Sequence, residues 1–196
     1  MKHILTACLV LIFMISCSEK KKNKSEIDPK ALELNEQGVK FMKEFKNDSA
    51  LILFDKAIEA DETYYQPNSS KAGIYINLRE YPKALVESEL AIKKNPDFAE
   101  GWTRAGMLNE KLGNSEKAAK YYQKSIELFD KRINDPEKKD RIVQNKLSRA
   151  LSLVLLGKED KAKEELTKLK NENPNNSMIT NFMDIKKKEF LEQILQ

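Results

Sequence analysis

Apolar and small residues recur along this chain at helical spacing, and no segment alternates apolar and polar residues as a half-buried strand does. Between Ala31 and Phe45, Leu34, Phe41 and Met42 fall on helical spacing with the small Gly38. The arrangement returns downstream. Ala50, Ala84, Ala118 and Ala162 lie 34, 34 and 44 residues apart, and each follows a small residue (Gly38, Ala72, Gly106 or Ala150) by twelve positions. A repeat of about 34 residues with small residues in fixed phase predicts helix–turn–helix units stacked into a solenoid. The expected fold is therefore all-α. Glycine inside a helix costs about 1 kcal/mol relative to alanine. Close approach of the paired helix, which carries Ala50 at the crossing, is the expected reason for Gly38.

Four units can be set in register, at residues 31–64, 65–98, 99–132 and 143–176. Gly113 and Gly157 fit helix C-termini, where a left-handed backbone suits glycine. Pro96 and Pro174 fall where second helices should stop. The ten extra residues of the last spacing lie between Phe129 and Ile142. They predict a longer second helix in unit three and a longer first helix in unit four. Asn134-Asp135-Pro136 is the expected turn, with Pro136 at an early helical position and Asp135 as N-cap. In unit four, Leu147, Ala150, Leu151, Leu153, Val154, Leu155 and Leu156 cover more than one stripe, which predicts a helix buried nearly all round. Residues 177–196 supply the cover as a C-terminal capping helix, since solenoid ends need one. Its surplus at Phe190, Leu191, Ile194 and Leu195 either packs against unit four or faces a partner.

These residues resemble the tetratricopeptide repeat (TPR) family, most closely from Trp102 through Gly113–Leu128. The chain departs from the family at Asn68 and Lys146, where a large residue is usual, at Ser88 in the aromatic position, and at Leu169 in a small one. The resemblance implies a right-handed superhelical solenoid of about four repeats. It also implies that the first helix of each repeat lines a concave surface that binds a peptide or protein segment. The lining residues would be Asn35, Val39, Met42, Ser69, Gly73, Ile76, Asn77, Thr103, Arg104, Met107, Glu110 and Lys111. Val39, Ile76 and Met107 could equally pack between neighbouring helices. Some TPR domains clamp a peptide's terminal carboxylate. At the matching positions this chain has Asn35, Val39, Ser70, Glu100 and Arg104, of which Arg104 alone fits, so that mode is not expected.

The N-terminus follows different rules. Lys2 precedes a twelve-residue apolar run, Ile4–Ile15, too short to span a bilayer and shaped like a signal peptide. It ends in Met14-Ile15-Ser16-Cys17, which resembles a bacterial lipoprotein cleavage box. The resemblance implies that residues 1–16 are removed and that Cys17 is acylated, anchoring the chain in a lipid bilayer. Two or more acyl chains anchor stably. Residues 17–30 then form a polar tether, and the twelve residues from Ser18 to Pro29 reach roughly 20 Å. The basic turn after Cys17, at Ser18-Glu19-Lys20, lacks the acidic signal of some surface-exported lipoproteins. The expected location is the cell envelope, facing the periplasm.

Cleavage would also remove the single histidine, His3, together with Cys8. The mature chain would hold no histidine and one acylated cysteine, which excludes a Cys/His zinc site and a histidine-based triad. No glycine-rich phosphate loop is present. The adjacent carboxylates Asp61-Glu62 and Glu164-Glu165 point to different helix faces and read as solvated surface. Neither an enzyme nor a cofactor or metal site is expected. The 35 basic and 31 acidic residues are interspersed, which speaks against a nucleic-acid surface. The expected protein is a monomeric, membrane-tethered adaptor. The alternatives are a structural subunit of an envelope assembly or secretion machine and, behind it, an enzyme whose active site uses neither histidine nor cysteine.

Overall fold

The computed structural model describes residues 26–137 and 141–195. The signal segment, Cys17 and most of the tether lie outside the described residues. Among those described, the chain is helical throughout: α1 (Pro29–Lys43), α2 (Asn47–Ala60), α3 (Gln66–Asn77), α4 (Tyr81–Lys94), α5 (Ala99–Lys111), α6 (Ser115–Ile133), α7 (Ile142–Leu155), α8 (Glu159–Glu172), α9 (Ser177–Met183) and α10 (Lys187–Ile194). None of these helices is long and apolar enough to cross a membrane. Each helix from α1 to α8 packs on the next, and α1 also touches α3, as α5 touches α7. The first helices of successive pairs therefore lie side by side, which is the arrangement of a solenoid.

Three boundaries differ from the sequence reading. The first helix begins inside the expected tether. Asp28 accepts a hydrogen bond from Lys30 N at 2.7 Å, and Pro29 occupies the first turn, where its missing N–H costs nothing. The insertion lengthens α6 to 19 residues, yet α7 starts only at Ile142. Asp135 accepts from Glu137 N in a local turn and does not cap α7. The C-terminal segment forms two short helices instead of one, broken at residues 184–186.

The glycines at the helix crossings have a sharper reason than expected. A Cβ added to Gly38 would lie 2.6 Å from the Phe54 ring, and one added to Gly106 would lie 2.5 Å from the Tyr122 ring. The close neighbour is thus an aromatic face one turn beyond Ala50 or Ala118. Where the first helix carries alanine instead, at Ala72 and Ala150, the residue sixteen positions on is Ser88 or Leu166. The departure at Ser88 is one side of this exchange of volume between paired helices. Gly73 is different, because an added Cβ would meet nothing within 4 Å. Gly73→Ala should therefore raise stability by about 0.5–1 kcal/mol through helix propensity. Gly106→Ala, the same chemical change, should lower it. A shared sign in urea denaturation would contradict this packing.

Gly113 and Gly157 have φ of +83° and +79°, as helix ends require. Phe45 and Arg79 occupy the same phase in the first two pairs and share the left-handed backbone, with φ of 58° and 59°. Both are non-glycine residues in a strained conformation.

Helix α7 is covered over most of its surface, with Gln144 near its start left exposed. Leu147, Ala150, Leu153 and Val154 pack with Ala162, Leu166, Leu169 and Ile179. Leu155 joins Ala118 and Tyr122, with Leu151, Leu156, Phe190 and Leu191 against them. The cap of the fourth pair is α9, through Ile179, Phe182 and Met183, together with Ile185 in the following linker. Phe190 and Leu191 of α10 reach towards α6 and α7, while Leu195 packs with Ala84 and Leu108. Ile194 stays 42% exposed.

Candidate peptide-binding face

The side-by-side first helices α1, α3, α5 and α7 set the candidate face, and its residues fall into three groups. The first group lies on α1 and α3. Val39 and Met42 are half-buried against Ala50, Phe54 and Ile74. Ile76 is half-buried beside the cluster of Ala84, Leu108 and Leu195. Asn77 is exposed, and Gly73 leaves open space beside it on α3. Asn35 is nearly enclosed, yet its Oδ1 has no protein hydrogen-bond partner. This half of the face combines apolar side chains, open space and unengaged amides.

The second group belongs to the framework, contrary to the sequence reading. Thr103 is buried, and its hydroxyl meets Ser125 Oγ at 2.6 Å and Ser152 Oγ at 3.1 Å. The two serines lie 3.1 Å apart. Three hydroxyls from α5, α6 and α7 thus satisfy one another in the core, where an unpaired hydroxyl would be costly. Arg104 donates to the Ser69 carbonyl at 3.0 Å and to Ser69 Oγ at 2.8 Å, tying α5 to α3. Burial pulls the Arg104 guanidinium below its ordinary range, opposed by Glu100.

The third group is engaged by the chain itself. Met107 packs near Leu191. Glu110 accepts from the Tyr122 hydroxyl at 2.9 Å and pairs with Lys187 at 2.6 Å. Burial and the Glu110 carboxylate together push the Tyr122 phenol far above its ordinary value. Lys111 donates to the Leu195 carbonyl at 2.5 Å and lies over the Tyr81 ring.

Some residues that organise this face carry no family motif. Asn68, in the position usually held by a large residue, donates to Glu87 Oε2 at 2.6 Å. Lys71 bridges Glu87 and Asp55, each at 2.7 Å. Burial pulls the Lys71 ammonium down, but the hydrogen bonds to Asp55 and Glu87 outweigh it and hold it above its ordinary value. The nearly buried ion pair of Lys71 with Glu87 stands beside Asn68 within the second helix pair, and exposed Asp55 extends it to α2 of the first. The carboxylates read as plain surface also have work to do. Asp61 accepts from Asp28 N and from Thr63, and Glu165 with Asp130 clamps Arg149. Among the described residues no three His, Cys, Asp or Glu gather as a metal site.

Comparison with known proteins fits this geometry. Tetratricopeptide repeat family models match residues 99–132 and 146–176. The heat shock protein STI1 of Saccharomyces cerevisiae is 35% identical over 85 residues, covering 41% of this chain and 14% of that protein. The Hsp70-Hsp90 organizing protein 3 of Arabidopsis thaliana is 29% identical over 96 residues, covering 49% of this chain and 17% of that protein. The chain thus spans less than a fifth of either relative. The crystal structure of YrrB, described as a TPR protein with an unusual peptide-binding site, superposes with a TM-score of 0.52 at 17% identity. That match covers 83% of this chain and 76% of YrrB. Residues 99–132 and 146–176 thus match the tetratricopeptide repeat, and the chain folds as a solenoid of helix–turn–helix units.

Proposed function

We propose that this chain is a protein-interaction adaptor. It holds a peptide or protein segment on the face formed by the first helices and is tethered to a membrane by acylated Cys17, facing the periplasm. The observation that carries the reading is the half-buried apolar set Val39, Met42 and Ile76 beside the open space at Gly73. Adaptable methionine and aliphatic groups flanked by amides suit an extended or helical segment. The relatives support it by their names, one of which describes an organizer of two other proteins.

Two substitutions test the parts separately. Full-length chain is screened on a peptide array, alone and with Met42→Asp and Ile76→Asp together. The wild type should retain a subset of peptides that the doubly substituted chain loses while keeping its helical circular dichroism. Retention of the same peptides by both chains would place the binding surface elsewhere. For the anchor, Cys17→Ala should move the protein from the membrane fraction to the soluble one and abolish lipid labelling. A variant that stays in the membrane with its leader uncut would refute the acylation.

A further inference from the structure

Helix α10 lies against the candidate face, with Phe190 and Leu191 also touching α7 of the fourth helix pair. Its Lys187, Leu191 and Leu195 are spaced four apart and form one stripe. Lys187 Nζ is 2.6 Å from Glu110, and Lys111 Nζ is 2.5 Å from the Leu195 carbonyl oxygen. Between these polar ends Leu191 and Leu195 join the apolar cluster around Leu108, and Leu195 is only 1% exposed. The polarity also fits. A carboxylate stands at the first turn of α10 and an ammonium at its last carbonyl, as a helix dipole favours.

Three features mark this occupant as removable. Eight residues are too few to stay helical alone in water, so α10 is a helix because it is seated. Residues 184–186 join it to α9 through a short non-helical link. A crevice of about 270 Å³ opens along the edge where α10 meets α5, so one side of the seat is accessible.

We propose that α10 is an internal stand-in for the partner. The face accepts an amphipathic helix with a basic residue one turn before two leucine-like residues four apart, and that helix binds by displacing α10. This rests on the adaptor reading and specifies its ligand.

The probe is a fluorescein-labelled peptide of residues 186–196, read by anisotropy against full-length chain and against the full-length Leu191→Asp/Leu195→Asp variant, whose own helix cannot seat. The variant should bind at least tenfold more tightly than the wild type, and adding Glu110→Lys should remove most of that gain. Circular dichroism checks that each chain is folded. Equal affinity for both chains, or no binding to either, overturns the proposal. A second readout needs no variant: excess unlabelled peptide should speed tryptic cleavage at residues 186–188 of the wild type severalfold, and an unchanged rate overturns the proposal. Unrelated amphipathic helices of equal length separate it from the adaptor reading. If only the chain's own peptide binds the variant, self-occupancy stands and the adaptor reading fails. If the unrelated helices bind both chains equally, the adaptor reading stands and self-occupancy fails.

Discussion

Tyr122→Ala should cost the fold about 3–5 kcal/mol, as removal of a fully enclosed ring does. The ring is 1% exposed, covers Gly106 so closely that no Cβ fits between, and sits in a cluster with Ala118 and Leu155. Glycine at position 106 exists to admit this ring, so the alanine variant leaves a void that no neighbouring side chain is shaped to fill. Tyr122→Phe keeps the ring and loses only the hydroxyl's bond to Glu110. It should cost about 1.5 kcal/mol, as hydrogen bonds to charged groups do. Urea denaturation of the three chains checks both values. An alanine variant within 1 kcal/mol of wild type would contradict the packing of α5 on α6 described above.

A chain ending at Asn176 should lose still more at its C-terminal end. It lacks Ile179, which is wholly buried, with Phe182, Met183 and Ile185 around it. The loss should exceed the roughly 2–5 kcal/mol that truncating one buried isoleucine costs. Solenoid stability is nearly a sum of unit and interface terms, so the damage should stay local. Hydrogen exchange should show α7 and α8 fraying while α1 to α6 stay protected, with increased dye binding to exposed Leu147, Leu153 and Leu166. Unchanged protection of α7 would show that α9 is not a cap.

The fold was legible because its signal is redundant. Gly38, Ala72, Gly106 and Ala150 recur in phase with Ala50, Ala84, Ala118 and Ala162, and no one of these positions has to be decisive. The site was less legible because residues at the same phase do different things. Thr103 has a groove position by register, yet its hydroxyl turns into the core because Ser125 and Ser152 wait there. Nothing in the spacing of those serines announces a shared contact across three helices. Asn68 breaks the family pattern, and the ion pair of Lys71 with Glu87 that stands beside it joins residues of two helices. The volume exchange between Gly106 and Tyr122, or Ala72 and Ser88, was visible at a fixed offset of sixteen residues once the crossing was known. The apolar surplus of residues 190–195 was legible as a surplus. Its seat was legible only in part: Phe190 and Leu191 do pack on α7 of unit four, but the break at residues 184–186 also carries Leu191 and Leu195 onto Ala84 and Leu108, which no spacing announces.

The face formed by the first helices is where we propose that a partner binds. The direct measurement places a photocrosslinking amino acid at Asn77, exposed on α3, and in a second chain at Ile52, 55% exposed on α2. Illumination of native membranes should give discrete partner adducts from position 77 and none from position 52. Equal adducts from both positions, or adducts from position 52 alone, would contradict it.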